Sequence, residues 1–243
     1  MTSASHLFLP AGYQRRTAAL SRNTAEDGRA YWDGDREFNA SQSQWHVYEL
    51  ARLRAAGLSR PRVWDVGSGI GTKLIRLVDR TPGALGVGFD QPFAIEVAQA
   101  RAGDRTKFVS TDLESFAPRD CESPDVVVCA DVIEHLENPI GLLSGLRTCC
   151  KPTSSVFIST PDRVRLHGSK NLTPTNLLHV QEWTADEFCR MVECVGFRVV
   201  TVRYFPPTRL GFNWRCAKLY ADLIRRLRTV RFTMCFELAL AEL

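Results

Sequence analysis

The run VWDVGSGIGT, residues 63–72, constrains the fold of this chain more than any other segment. A short β-rich stretch passes into a loop that contains Gly67, Gly69 and Gly71, and a helical pattern follows. Because glycine has no Cβ atom, such a loop can turn sharply and approach a ligand closely, while the helix that it opens offers oriented N–H groups. A strand, glycine loop and helix in this order predict an α/β fold with a ligand site at the loop.

The spacing of the glycines distinguishes two kinds of ligand. Dinucleotide enzymes carry G-x-G-x-x-G, which seats a pyrophosphate on the end of the helix. Here the spacing is G-x-G-x-G, and Asp65 lies two residues before the first glycine. A carboxylate at that point would repel a pyrophosphate and suits a ligand with an ammonium and a sulfonium. An ordinary tight turn between a strand and a helix is the other interpretation of the loop.

From residue 62 onward, β-rich and helical patterns alternate, which predicts a mostly parallel sheet with helices on both faces. Strands are predicted at 62–66, 84–90, 106–110, 125–130, 154–160, 197–205 and 231–240, and helices at 45–56, 72–80, 92–102, 139–150, 184–196 and 213–228. Thr184, Glu187 and Gly196 have the spacing of a capping box and a C-terminal cap. We expect an irregular N-terminal cap segment at 1–44 and one domain at 45–243.

Acidic residues recur at the ends of the first four predicted strands. After Asp65 in the first strand, Asp90 ends the second, 19 residues beyond Gly71. A carboxylate there can accept both hydroxyls of a ribose. Asp112 follows the third strand, where it can bind an adenine amino group, and Asp131 follows the fourth. The four positions together favour an adenosine-containing ligand.

With these residues, positions 62–200 resemble the class I S-adenosylmethionine-dependent methyltransferases, in the branch that includes the ubiquinone-biosynthesis O-methyltransferases. The resemblance implies a Rossmann-like, mostly parallel sheet of seven strands in the order 3-2-1-4-5-7-6, with strand 7 antiparallel, and S-adenosyl-L-methionine as cofactor. It also implies the cofactor contacts: Asp65, Gly67, Gly69 and Gly71 at the methionine end, Asp90 with the neighbouring Gln91 at the ribose, Asp112 with Leu113 at the adenine, and Ala130 with Asp131 on the inner side.

A narrower resemblance covers residues 159–188, whose loop contains Asn176, His179, Val180, Glu182 and Trp183. It is similar to bacterial methyltransferases from pathways that make or decorate glycans and secondary metabolites, although Thr173 stands where those enzymes have glycine. The resemblance implies a small or carrier-linked hydroxyl substrate, such as a sugar.

His179 and Asp131 are the candidate catalytic residues. An imidazole, with an ordinary pKa of about 6.5, can take a proton from a hydroxyl at neutral pH. The alternative is that His179 only packs or caps beside Trp183. If a helix begins at Asp131, then Asp131, Glu134 and His135 share one face, and with His179 they resemble the metal motif of small-RNA 2′-O-methyltransferases. Relatives without metal carry the same Glu-His pair, so a metal stays an open question.

Composition narrows the remaining classes. A net charge of +4 is too small to indicate nucleic-acid binding, and no apolar run reaches the length of about 18 residues that spans a bilayer. The eight cysteines contain no C-x-x-C pair, which favours reduced thiols and a cytoplasmic protein. The basic residues Arg163, Arg165, His167 and Lys170, and those at 215–231, are either solvated or, for the first group, a phosphate site. An N-methyltransferase, a metal-assisted O-methyltransferase and a non-catalytic cofactor-binding subunit remain alternatives.

Overall fold

The computed structural model describes residues 8–16, 42–174, 176–205 and 233–242, and strands alternate with helices through these ranges. The helices are α1 (Gln42–Ala56), α2 (Thr72–Asp79), α3 (Pro92–Gln99), α4 (Pro139–Cys149), α5 (Arg163–His167) and α6 (Ala185–Val195). The strands are β1 (Arg62–Val66), β2 (Leu85–Asp90), β3 (Thr106–Ser110), β4 (Val126–Ala130), β5 (Ser155–Pro161), β6 (Phe197–Phe205) and β7 (Thr233–Leu240). Short 3-10 helices occupy Leu113–Ser115 and Ile133–His135.

The strands form a seven-stranded sheet in the order β3-β2-β1-β4-β5-β7-β6. Neighbours from β3 to β5 run parallel, and β7 pairs antiparallel with both β5 and β6. The predicted Rossmann-like topology is therefore confirmed. Strand order reverses at β1, which pairs with β2 on one side and β4 on the other. The crevice outside the carboxyl ends of these strands is where such sheets bind ligands.

Alternate residues of β1 face two separate hydrophobic clusters. Trp64 lies in one of them, where its ring meets those of Phe89 and Phe116 edge-on at centroid distances of 5.0 and 6.2 Å. Val63 points into the other cluster, on the opposite face of the sheet. Every residue of β4 is buried. Burial on both faces makes β1 and β4 the central strands, so the residues that follow them rest on a rigid base.

The predicted capping box of α6 is confirmed. The Thr184 hydroxyl accepts the backbone N–H of Glu187, and the Glu187 carboxylate accepts the backbone N–H of Thr184. Gly196 ends the helix with a φ of 102°, a conformation that glycine adopts without a Cβ penalty. This helix follows its local signals closely because its caps lie within its own sequence.

The turn after β4 differs from the conditional prediction of a helix that begins at Asp131. Asp131 has a φ of 55°, and the 3-10 helix starts only at Ile133. The backbone N–H of Asp131 donates to the carbonyl and hydroxyl oxygens of Ser159, at 3.0 and 3.1 Å, and the Ser159 hydroxyl donates to the Asp131 carboxylate at 2.7 Å. These bonds hold Asp131 beside β5, so it does not share a helical face with Glu134 and His135.

The remaining predictions concern the N-terminal segment, the C-terminal helix, membrane-spanning helices and the cysteines. Helix α1 begins at Gln42, so the predicted segment boundary after residue 44 falls within it. The predicted helix at 213–228, with the basic residues around it, lies outside the described ranges. Among the described residues, no helix has the length and apolar character needed to cross a membrane. The cysteines within these ranges are free thiols.

Candidate functional site

The glycine loop is fastened to the end of β2 and packed against the turn after β4. The backbone N–H groups of Gly67 and Ser68 both donate to the carbonyl of Phe89, at 2.8 and 3.1 Å. Gly67 has a φ of 82°, and a Cβ atom there would lie 2.2 Å from Cγ2 of Val132. Only glycine fits this position without displacing the turn, so the loop lies close against the ends of β1, β2 and β4.

Asp90 lies at the reversal of strand order. Its Oδ2 accepts the backbone N–H of Gly69 and its Oδ1 accepts the backbone N–H of Gln91, both at 2.7 Å. Burial raises the pKa of this carboxyl, and the two N–H donors act in the opposite direction. A carboxylate has about four acceptor positions, so each oxygen keeps one for a ligand hydroxyl.

Asp65 is covered by Tyr48, a residue outside every motif of the sequence. The hydroxyl of Tyr48, from α1, lies 2.7 Å from Oδ1 and 2.8 Å from Oδ2 of Asp65. The Asp65 side chain is fully buried, and burial raises its pKa to about 7 against the lowering effects of Tyr48 and Lys73. No sequence signal connects Tyr48 to Asp65, because the contact depends on how α1 packs.

The other residues assigned to the cofactor lie on the same edge. Asp112 is exposed and caps the 3-10 helix at Leu113, accepting the backbone N–H of Glu114 at 2.9 Å and the Ser115 hydroxyl at 2.8 Å. Gln91 is exposed at the start of α3. The carbonyl of Ala130 accepts the side-chain amide of Gln44 at 3.2 Å.

His179 is held through both ring nitrogens. Nδ1 lies 2.6 Å from Glu182 Oε1 and donates to that carboxylate, while Nε2 accepts from the Asn176 amide at 2.8 Å. Glu182 is fully buried, and its other oxygen lies 3.2 Å from Nε2 of His167. With Nδ1–H donating to Glu182, the lone pair of the neutral imidazole lies on Nε2. The sequence pattern places His167 in a basic cluster and gives no sign of its contact with Glu182, which lies 15 residues further along the chain.

Glu134, His135 and His179 converge on one point. Their candidate ligand atoms all lie within 4.8 Å of one another, whereas Asp131 is not part of this group. The Glu134 carboxylate is buried, and among the described residues neither of its oxygens makes a well-formed hydrogen bond, although the Thr160 hydroxyl lies close enough to lower its pKa. Burial raises the pKa of Glu134 well above its ordinary value and lowers that of His135 to about 4. His135 donates Nδ1–H to the Leu178 carbonyl at 2.7 Å, which leaves Nε2 as its acceptor nitrogen.

The predicted basic cluster after β5 does not converge. Arg163 is buried and pairs with Glu187 at 2.7 Å. The guanidinium of Arg165 stacks 3.5 Å above the ring of Tyr204, and Lys170 is exposed. With His167 beside Glu182, three of these four side chains have separate partners within the protein.

An N-terminal strap, residues 8–16, lies along the loop that carries His179. The backbone N–H of Gln14 donates to the Leu172 carbonyl at 2.8 Å, and that of Arg16 donates to the Val180 carbonyl at 2.9 Å. The hydroxyl of Tyr13 accepts the backbone N–H of Glu182 at 2.7 Å. The strap therefore fixes the loop at both ends of the His179 segment.

Comparison with known proteins gives related sequences and folds. The family model described as a methyltransferase domain matches residues 42–202. The ubiquinone biosynthesis O-methyltransferase of Saccharophagus degradans is 29% identical over 143 residues, which are 55% of this chain and 57% of that protein. The chain thus spans just over half the length of the curated relatives that it matches. A SAM dependent methyltransferase from Aquifex aeolicus has a similar fold, with a TM-score of 0.62 and 15% identity over 90% of this chain and 100% of that chain. The [4+2]-cyclase SpnF is also similar, with a TM-score of 0.62 and 14% identity over 81% of this chain and 80% of that one.

A glycine loop and an acidic strand end at the switch point of a 3-2-1-4-5-7-6 sheet define a Rossmann-like α/β protein. Since the family model covers well over half of its length, the chain belongs to the methyltransferase domain family. The cyclase neighbour shows that this fold supports other reactions, so chemistry has to be argued from the site.

Proposed function

We propose that this chain binds S-adenosylmethionine at the carboxyl ends of β1, β2 and β4 and transfers a methyl group to a hydroxyl of a small or carrier-linked metabolite, such as a sugar. Family membership supports the reaction class, and the ubiquinone O-methyltransferase relatives support oxygen as the acceptor atom. The proposed compartment is the cytoplasm, which the free cysteines of the described ranges support. Asp90 is the observation that carries the cofactor assignment.

The residues present fit S-adenosylmethionine better than a dinucleotide. Both oxygens of Asp90 are oriented by backbone N–H groups and keep acceptor positions for two ribose hydroxyls. Asp65 places a carboxyl group at the end of β1, two residues before the glycine loop, where a positively charged methionine end is favoured and a pyrophosphate is not. We assign Gln91 to the ribose side, Asp112 and Leu113 to the adenine, and Ala130 with Asp131 to the inner wall.

Methyl transfer places few demands on the protein. S-adenosylmethionine supplies, when bound, an activated methyl group on a sulfonium. The protein must align the acceptor hydroxyl with that group and remove its proton. We assign the proton to Nε2 of His179, because Glu182 holds the opposite nitrogen as a donor and stabilises the imidazolium that results. The Asn176 amide now on Nε2 has to give way to the acceptor.

The cofactor assignment is tested by Asp90→Ala. Losing hydrogen bonds to a charged group costs about 1.5–3 kcal/mol each, so affinity for S-adenosylmethionine should fall at least about tenfold. The variant also frees two backbone N–H groups, so calorimetry is run below its melting temperature and Asp104→Ala, an exposed aspartate before β3, serves as the control. Unchanged affinity in folded Asp90→Ala would refute the assignment.

Metal-assisted O-methyl transfer is the second candidate, and the convergence of Glu134, His135 and His179 favours it. A buried carboxylate without hydrogen bonds is costly unless it is protonated or meets a cation. Carboxylate and imidazole ligands suit a hard or borderline divalent ion. Glu182 and the Leu178 carbonyl would orient the two imidazoles from behind, as partners of metal-bound histidines commonly do.

The metal hypothesis predicts that Mn²⁺ binds chelator-treated protein and that Glu134→Gln weakens this binding at least about tenfold, the equivalent of about 1.4 kcal/mol. Glu137→Gln, an exposed neighbour in the same turn, is the matched control. Calorimetric titration measures both. Full methyl transfer after exhaustive chelation, with no Mn²⁺ binding, would leave the metal-free mechanism.

A further inference from the structure

The hydroxyl of Tyr48 meets both oxygens of Asp65 in a fully enclosed position. Both residues are buried, Asp65 completely and Tyr48 to all but 5% of its surface. A hydroxyl carries one hydrogen, so Tyr48 satisfies one carboxylate oxygen at a time. The other oxygen then has an acceptor position that Tyr48 does not fill. An ammonium group is the ligand chemistry that such an acceptor favours.

Helix α1 makes two further contacts near this site, one with β4 and one with α2. The Gln44 amide donates to the Ala130 carbonyl at the end of β4. The ring of Trp45 lies below the guanidinium of Arg76 at 4.9 Å and the ammonium of Lys73 at 5.7 Å, both on α2. Helix α1 thus spans the ends of β1 and β4 and contacts the helix that the glycine loop opens. These contacts hold α1, and with it Tyr48, in place.

The charge of Asp65 depends on the groups packed around it. Burial raises its pKa to about 7, Tyr48 from α1 and Lys73 from α2 lower it, and Asp90 from β2 raises it. Cys129 of β4 also faces the pair. Near neutral pH the unliganded carboxyl is therefore partly protonated. A bound ammonium favours the charged form, so ligand binding should expel a proton.

We propose that Tyr48 is a cofactor-positioning residue, whose hydroxyl holds one oxygen of Asp65 so that the other receives the ammonium of the methionine moiety. The inference rests on the proposed function, since it concerns the same cofactor site. It adds α1 to the machinery that the family motifs describe and makes cofactor binding a proton-coupled event. Binding takes up the ammonium at Asp65 and releases the carboxyl proton to solvent.

Calorimetry with S-adenosylhomocysteine, in buffers of different ionisation enthalpy, tests this without a methyl acceptor. The wild type should release part of a proton on binding, with half of the maximal release near pH 7. Tyr48→Phe should bind about tenfold more weakly, about 1.4 kcal/mol, and move the half-release point to higher pH, because the donor that lowers the Asp65 pKa is gone. Asp65→Asn has no carboxyl proton to release. The proton exchange that remains in this variant therefore comes from the ligand amine and is the baseline for the wild type.

Tyr204→Phe is the matched control. The hydroxyl of Tyr204, on β6, also donates to a carboxylate, that of Asp162, at 3.0 Å. It should leave affinity and proton release unchanged. Wild-type affinity and release in Tyr48→Phe would overturn the inference while leaving the cofactor assignment intact. Failure of the wild type to bind S-adenosylhomocysteine would instead refute the proposed function. If Tyr48→Phe does not fold, the comparison of wild type with Asp65→Asn decides, and equal release from both overturns the inference.

Discussion

Glu182 is the residue on which the chemistry of the His179 loop depends. Its carboxylate is buried, and each of its oxygens faces an imidazole, His179 at 2.6 Å and His167 at 3.2 Å. The backbone N–H of Glu182 donates to the hydroxyl of Tyr13. A buried carboxylate with these partners fixes both the position and the tautomer of His179. The same contacts serve base catalysis, metal ligation or plain packing, so variants have to separate them.

We predict that His179→Gln lowers kcat about 10²- to 10⁴-fold, the usual contribution of a general base, and leaves cofactor affinity unchanged. Transfer of a labelled methyl group to a library of paired hydroxyl and amine compounds supplies the acceptor and distinguishes O- from N-methylation. Glu182→Gln should lower kcat more than it changes KM, because it misplaces the base without removing it. His167→Gln, which removes a contact to the other oxygen of Glu182, should have the smallest effect of the three.

The packing interpretation predicts the reverse order of effects. If His179 only fills and caps the loop, His179→Gln lowers the melting temperature, and kcat per folded molecule stays near that of the wild type. Differential scanning calorimetry and a kcat corrected for folded fraction distinguish the two outcomes. Loss of both activity and bound Mn²⁺ would move the assignment to the metal mechanism.

At the scale of elements, the glycine loop and the turn after β4 act as one packed unit. Gly67 meets Val132, and the same turn is fixed to β5 through Asp131 and Ser159. We therefore expect a bulkier residue at position 67 to displace the turn that carries Glu134 and His135.

Gly67→Ala should destabilise the protein by two separable effects, a positive φ and a steric overlap. Gly168 supplies a control for backbone strain alone, because it also has a positive φ, 84° with a ψ of 162°, and no atom lies within 4 Å of the Cβ that alanine would add. Gly168→Ala should cost about 1–3 kcal/mol from the backbone, and Gly67→Ala should cost more than its own backbone strain because the overlap with Val132 adds about 1–3 kcal/mol. Denaturant titration measures both. Equal losses in the free energy of unfolding would show that Val132 moves aside at no cost.

The elements that could be predicted from sequence are those whose signals are local. The capping box of α6 and the strand that ends at Asp90 each depend on neighbouring residues, and both are found where expected. The turn at Asp131 was not predictable, because its conformation depends on Ser159, 28 residues away. An aspartate whose positive φ is stabilised by a serine of another strand leaves no local pattern in the sequence.

At the scale of the whole molecule, the topology followed from a family resemblance, and the long-range polar contacts did not. The strand order is as implied, and the acidic residue that ends β2 accepts the backbone N–H of Gly69 in the glycine loop. Tyr48 over Asp65 and Tyr13 on Glu182 join segments 17 and 169 residues apart. Such contacts are set by packing geometry, which residue types and spacing do not encode.

The position of β7 gives the sheet an order of completion. Strand β7 follows β6 in the chain but lies between β5 and β6, and β6 has no other sheet neighbour within the described residues. A ribosome that has synthesised everything through β6 has delivered six strands, of which only β1 to β5 can pair. Strand β6 has to wait as an unpaired edge until β7 emerges, which is when a nascent chain is open to association. The glycine loop and Asp90 belong to the half that can form first.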